Sequence, residues 1–309
     1  MKKKILFTGG GGAATEALWR LLSTKYELYF ADASIETIDN TIPADRKVSI
    51  PFATAGNFVS QLKKICDERK IDLVVPGVDD ELVTLCESRG QGMPEIFLPP
   101  ISFVKLMLDK LTGAQAIENA GLTAPRTVPV IRAKEIGFPL IVKPRSGRGS
   151  RGVCVLASQA EIDAYKILYK TSDDKLIAQE LGVGDEYTVL VAGDKTGLLK
   201  AVVPVKVVHK KGITIRAKTE INPSIVEYVS KFQEFFKPYG IYNIQCILTK
   251  DGTILPFEIN PRISTTFCLG VASGFDPFSD EMASSDVGCF IPKKELYLKR
   301  NWFNSIVEA

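Results

Sequence analysis

The sequence contains one histidine, His209, in 309 residues. That scarcity excludes a histidine-rich metal centre and argues against a Ser-His-Asp triad. The six cysteines, Cys66, Cys86, Cys154, Cys246, Cys268 and Cys289, include no CxxC pair. Several lie in apolar runs, so they read as buried free thiols of a cytoplasmic protein rather than as disulfides or zinc ligands. No apolar run approaches the ~20 residues of a membrane span. The run in "MKKKILF" is too short for a signal-peptide core and reads as a first strand with a basic edge. Net charge is only +3, so neither nucleic acid nor a membrane is expected as the main partner. Chemistry must then rest on carboxylates, basic side chains, backbone amides or a bound metal.

The chain is long enough for two or three lobes, and its 45% hydrophobic and 24% charged residues suit globular cores. Over the first hundred residues strands alternate with helices. "KKILFTG", "YELYFAD" and "IDLVVPGVD" read as strands, "TEALWRLLSTK" and "AGNFVSQLKKICDERK" as helices. That order predicts an α/β lobe with a Rossmann-like parallel sheet. Residues 33–55 read as a loop carrying a short strand. A helix "DKLTGAQAIENAG" follows a proline-bearing crossover, and beyond it the strands are paired by turns. The expectation is α/β followed by α+β lobes with antiparallel sheets, divided as 1–100, 101–181 and 182–309.

Four stretches could carry chemistry. In "ILFTGGGGAATEALWRLL" Gly9, Gly10, Gly11 and Gly12 join a strand to a helix, and Asp32 ends the next strand. Gly9, Gly11 and Ala14 with Asp32 suit a dinucleotide loop, or another ligand's anionic group. In "FPLIVKPRSGRGSRGVCVL" a strand ends at Lys143 and a loop with Ser146, Gly147, Gly149, Ser150 and Gly152 follows. Without Cβ atoms such a loop can lie over a polyphosphate, although its order is not that of a Walker loop. The plain alternative is a solvated basic hairpin tip. In "IYNIQCILTKDGTILPFEINPR" Asp251-Gly252 predicts a two-residue hairpin turn. Opposed residues then have numbers summing to 503, so Gln245 faces Glu258 and Asn243 faces Asn260 on one polar face. Cys246, Leu248 and Phe257 are expected on the other face. Oxygen ligands around one carboxylate suit Mg²⁺, or Mn²⁺ in its place. In "LIAQELGVGDEYTVLV" a strand edge could pair with a purine, and Glu186 could hold ribose hydroxyls.

Together with Lys110 in "LMLDKLTGAQAIENAGLTAPRT", these stretches occur in the order seen in ATP-grasp enzymes. The chain resembles their carbamoyl-phosphate-synthase-large-subunit-like branch over nearly its whole length, most specifically at "FEINPR" with a glutamine on the partner strand. The resemblance implies that Lys110 and Lys143 contact ATP phosphates. The loop of residues 146–152 would close over them, with Arg148 and Arg151 adding charge. Gln179, Glu180 and Leu181 would bind adenine and Glu186 the ribose. Gln245, Glu258 and Asn260 would ligate one or two Mg²⁺ ions, and Arg262 would stabilise the transferring phosphoryl group. The implied reaction joins a small-molecule carboxylate to an amine through an acyl phosphate, releasing ADP and phosphate. Only one such unit is present, so a stand-alone ligase is expected; many relatives are dimers, which allows a homodimer.

Substrate residues are less defined. Candidates are Gly11 and Gly12, Asp79 in "VPGVDDEL" with Asp80 and Glu81 beside it, and Thr265 between Ser264 and Thr266. Arg216 is the pick from the basic stretch that also holds Lys206, His209, Lys210, Lys211 and Lys218. Two other readings stay open: an NAD-binding oxidoreductase built on Gly9, Gly11 and Asp32, and a non-catalytic ATP-binding relative.

Overall fold

The computed structural model describes residues 1–279 and 288–301. Strands β1 (Lys4–Thr8), β2 (Glu27–Asp32), β3 (Lys47–Ser49), β4 (Leu73–Val75) and β5 (Glu95–Ile96) form a parallel sheet in the order β3-β2-β1-β4-β5. Helices α1 (Thr15–Leu22), α2 (Phe58–Arg69) and α3 (Leu82–Glu87) connect it. Because parallel strands are covered on both faces, β1 is apolar on both. Ile5 and Phe7 enter one core with α1, and Leu6 enters another with α2 and α3.

Helices α4 (Ile101–Leu108) and α5 (Lys110–Asn119) follow. Asp109 caps α5, accepting from the Leu111 and Thr112 amides. The second sheet is antiparallel, ordered β6-β9-β7-β8 from β6 (Thr127–Pro129), β7 (Leu140–Pro144), β8 (Cys154–Leu156) and β9 (Leu176–Glu180). Helix α6 (Gln159–Tyr169) packs on it through Ile162 and Tyr165.

The largest sheet contains β10 (Gly184–Gly193), β11 (Leu199–Lys211), β12 (Ile213–Thr219), β13 (Gly240–Thr249), β14 (Ile254–Asn260) and β15 (Tyr297–Lys299). Its order is β14-β13-β10-β11-β12-β15, with α7 (Pro223–Phe236) and α8 (Phe267–Ala272) against it. Its central strands are buried on both faces. Leu190 and Ala192 share the core of β1 and α1, whereas Tyr187, Val189 and Val191 pack with α7. The first lobe and the large sheet therefore share one continuous core.

Helices α4 and α5 fall within the stretch assigned to the small lobe, yet Phe103, Met107 and Ile117 join the large-sheet core with Phe232 and Tyr242. The small lobe's own core runs from Val128 to Ala178. Residue 181 falls between β9 and β10, and residue 309 lies outside the described residues.

Phe232 is fully buried, edge-on to Phe103 and tilted against Phe236 and Tyr242. Phe232→Ala is expected to cost about 3–5 kcal/mol in urea unfolding through lost transfer energy and a residual cavity. Ile167→Ala, at a side chain 79% exposed, should stay within about 0.5 kcal/mol of the parent.

Candidate functional site

Between the small and large sheets lies a cavity of about 260 Å³ with apolar walls from Ile141, Val153, Leu181, Ile247, Leu255 and Phe257. Its polar end is built around Lys143. This lysine is the last residue but one of β7 and is 4% exposed. Its ammonium donates to Gln179 Oε1 and to the Phe257 carbonyl, each at 2.8 Å. Gln179 is in turn fixed by its own donation to Thr127 Oγ1 at 2.8 Å. Burial pushes the Lys143 pKa down to about 8; Lys110 and Lys210 push the same way and Glu258 opposes them.

The loop after β7 turns through left-handed backbone at Gly147 (φ +125°) and Ser150 (φ +56°). The first conformation requires glycine, and the second is uncommon for serine. Lys110 ties this loop to the large sheet: its Nζ donates to the Gly147 carbonyl at 2.8 Å and lies 3.1 Å from Glu258. Ser146, Gly147, Arg148, Ser150 and Arg151 line the cavity. Gly149 lines the second cavity described below, and Gly152 packs under Tyr165, whose hydroxyl donates to its carbonyl.

The hairpin of β13 and β14 pairs Gln245 with Glu258 and Asn243 with Asn260, as expected, but by a different route. Nearer the turn Leu248 faces Ile254, one off the expected register, because Thr249 and Thr253 close a three-residue loop, Lys250 to Gly252, in place of a two-residue turn. A bulge restores the register, with Phe257 as the extra residue. Phe257 therefore sits on the cavity side, where Lys143 and Lys210 lie over its ring, and not with Cys246 and Leu248 on the opposite face. The bulge also leaves the Phe257 carbonyl free to receive Lys143.

Beyond Glu258 opens a second cavity of about 110 Å³. It is lined by Thr188, Thr214, Asn260, Arg262, Ser264, Thr265 and Thr266. Arg148, Ser150, Lys210, Gln245 and Glu258 line both cavities. Arg262 is held by an ion pair from its Nε to Asp79, and its Nη1 donates to the Ile263 carbonyl at 2.8 Å. Asp79 comes from the first lobe, just after β4, so it orients Arg262 rather than offering a free carboxylate to an amine. Its neighbour Asp80 pairs with Arg148 of the glycine loop at 3.0 Å.

Glu81 was grouped with these two in sequence but is 2% exposed. It accepts from Thr8 Oγ1 (2.5 Å) and from the Gly77 and Val78 amides (3.0 Å each), fixing the loop that presents Asp79. Burial pushes its carboxyl up to about 7.

Several sequence candidates have other roles. Gln179 spends its side chain on Lys143 and Thr127. Glu180 turns back to the Arg126 amide at 3.1 Å, and Glu186 pairs with Lys210 at 2.6 Å. With Leu181 they line the far end of the first cavity. Gly11 and Gly12 line neither cavity. The Gly10 amide donates to the Ala31 carbonyl, Gly11 to Asp32 Oδ2 and Gly12 to the Gly9 carbonyl, each at 2.9 Å. A Cβ on Gly11 would collide with Thr37. These glycines allow a tight internal turn, in which the Gly10, Gly11 and Gly12 amides and Asp32 meet one another or the adjoining strand. Arg216 lines neither of the two cavities and faces away from the cleft.

Gln245, Glu258 and Asn260 offer one carboxylate and two amide oxygens on a common wall, a hard-oxygen set that fits Mg²⁺. Asn243, opposite Asn260, donates to the Arg262 carbonyl and leaves its own buried Oδ1 without a partner among the described residues. No group of three acidic, histidine or cysteine side chains suited to a metal exists among the described residues. A cation here would need phosphate oxygens to complete its shell.

The family model for the ATP-grasp domain matches residues 107–266, which hold the glycine loop and the Gln245, Glu258 and Asn260 wall. The chain belongs to the ATP-grasp family. It is 24% identical over 278 residues to the C-terminal section of the carbamoyl phosphate synthase large chain of Methanocaldococcus jannaschii, matching 79% of this chain and 40% of that one. It is 32% identical over 119 residues to D-alanine–D-alanine ligase B of Xanthomonas campestris pv. campestris, matching 34% of this chain and 37% of that one. Among solved folds, the L-amino acid ligase of Bacillus licheniformis aligns with TM-score 0.65 at 17% identity, covering 87% of this chain and 69% of that one. Carboxyaminoimidazole ribonucleotide synthase from Aspergillus clavatus, solved with ATP, aligns with TM-score 0.68 at 18% identity, covering 85% and 71%. The chain spans well under half the length of the two curated relatives. The buried Lys143 ammonium lines the first cavity, where an anion would offset its burial.

A phosphate beside Lys143 favours the charged ammonium. ATP affinity is expected to be flat below pH 7 and to fall above about 8, with a limiting slope of about tenfold per pH unit. Lys143→Met should bind ATP more weakly and lose that slope. Calorimetric titration from pH 6.5 to 9.5 measures it; a flat wild-type profile would remove Lys143 from the phosphate site.

Proposed function

We propose that the chain is an ATP-dependent carboxylate–amine ligase working through an acyl phosphate. The observation that carries this reading is the pair of cavities meeting at Glu258, Gln245, Arg148, Ser150 and Lys210. One is apolar-walled with lysines at its end and suits a nucleotide. The other is small, hydroxyl-lined and holds Arg262, which suits a carboxylate. In this reading a carboxylate oxygen in the second cavity attacks the γ-phosphorus, and the bond to ADP breaks. An amine nitrogen then attacks the acyl carbon; phosphate leaves, and the amine loses a proton to solvent or to phosphate.

Lys110 and Lys143 neutralise the triphosphate, and Arg262 faces the transferring group from the acceptor side. Mg²⁺, when bound at Gln245, Glu258 and Asn260, supplies further charge neutralisation. The loop of residues 146–152 borders both cavities and excludes water from the acyl phosphate. No side-chain nucleophile is required, in keeping with the single histidine.

Support comes also from the names of relatives, which include ligases joining amino acids. An oxidoreductase is unsupported, because the Gly9–Gly12 turn is closed on itself. All six cysteines are free, and no helix among the described residues is long and apolar enough to cross a membrane. A homodimer is carried over from a biotin carboxylase relative described as a dimer.

ADP release should appear when Mg-ATP is offered with a matching carboxylate and amine from a panel of amino acids and sugar acids. ATP binding with no turnover across the panel would favour a non-catalytic relative. Glu258→Ala is expected to lower kcat by about 10²–10³-fold with an unchanged circular dichroism spectrum; retained turnover would refute the metal and phosphate assignment.

A further inference from the structure

The basic stretch of residues 206–218 is only partly used by the cleft. Lys210 and Thr214, paired across β11 and β12, face the acceptor cavity. The register shifts on both sides of His209, because Val207 faces Ala217, His209 faces Arg216 and Lys210 faces Thr214. Val208 and Ile215 are thus extra residues, and these bulges throw His209 and Arg216 onto the opposite face. Lys299 of the edge strand β15 pairs with Arg216. His209, Arg216 and Lys299 therefore form one row across three strands, with Cβ atoms about 5 Å apart between neighbours.

The adjacent row shows what this one lacks. It consists of Lys206, Lys218 and Tyr297, and acids surround it. Lys206 meets Asp185 at 2.6 Å, and Lys218 meets Glu220 at 2.7 Å and Glu295 at 2.6 Å. Among the described residues, no carboxylate pairs with His209, Arg216 or Lys299. Like charges directly opposed on neighbouring strands repel. The row nevertheless lines an open cavity of about 530 Å³, whose wall includes Arg300. The Arg300 guanidinium donates to the carbonyls of Thr214, Ala13 and Thr265. It thus adds positive charge with no carboxylate among its described hydrogen-bond partners.

We propose that this cavity binds the phosphate group of a small molecule, through His209, Arg216 and Lys299. A phosphate dianion presents several oxygens and up to two negative charges, matching a row of donors on three strands better than a carboxylate does. Arginine offers a planar fork and lysine a point charge to the same group. The site lies behind the acceptor cavity: Arg300 holds the carbonyls of Thr214 and Thr265, whose residues line that cavity. Occupancy can therefore be felt at the acceptor site without the two ligands touching. This site does not depend on the ligase reading, since none of its three donors lines the nucleotide or acceptor cavity.

The test is calorimetric titration of inorganic phosphate into the full chain at constant ionic strength, near pH 7. Wild-type protein is expected to bind phosphate, and the surface double variant Arg216→Ser/Lys299→Ser at least tenfold more weakly. Lys206→Ser, one row away, should change affinity less than twofold. Absence of binding to the wild type, undiminished binding in the double variant, or equal weakening by Lys206→Ser would each overturn the proposal. The last outcome would mean that only net charge is sensed.

Discussion

A lysine ammonium buried between two sheets is the constraint on which the site depends. Lys143 is held on the small-sheet side by Gln179 and on the large-sheet side by the Phe257 carbonyl. A charge at 4% exposure is costly unless its donors are met, and two neutral acceptors meet it only in part. The remaining demand is for an anion. Lys110 repeats the pattern, bridging the Gly147 carbonyl and Glu258. The glycine loop, the small sheet and the β13–β14 hairpin are thus joined by two lysines whose charge a polyphosphate would complete.

The first lobe contributes through carboxylates rather than through its glycines. Asp79 reaches Arg262, Asp80 reaches Arg148, and the buried Glu81 fixes the turn that presents both. Its core is continuous with that of the large sheet, so these contacts rest on packed elements. Movement between the first lobe and the large sheet would displace Arg262 and the glycine loop together. The strand-to-helix turn of the first lobe is meanwhile satisfied internally, its amides spent on Ala31, Asp32 and Gly9.

Much of the fold was legible because it follows local periodicity. The alternating first lobe and the antiparallel pairing after residue 140 appear where apolar spacing and turn residues place them. The facing of Gln245 with Glu258 was also legible, but through two deviations that cancel. The loop is one residue longer than the two-residue turn that "KDGT" suggests, which shifts the register by one, and the Phe257 bulge shifts it back. Alternation alone therefore put Phe257 on the wrong face. The same limit applies to Arg216, which the bulge at Ile215 turns away from the cleft. A bulge is set by how neighbouring strands and side chains pack, and neither strand's pattern announces it.

The sequence by itself determined the kinds of chemistry open to this chain. One histidine and no paired cysteines left carboxylates, amides, lysines and arginines, and their order along the chain matched one family. It also determined which residues share a strand face wherever the ladder is regular, because a period of two is a local property. Only the tertiary structure decided which charges are free for a ligand and which are spent on each other. Asp79 and Arg262 lie 183 positions apart, and so does the difference between a substrate carboxylate and a structural ion pair. Burial, which sets the pKa of Lys143 and of Glu81, comes from elements that meet only once the chain has folded.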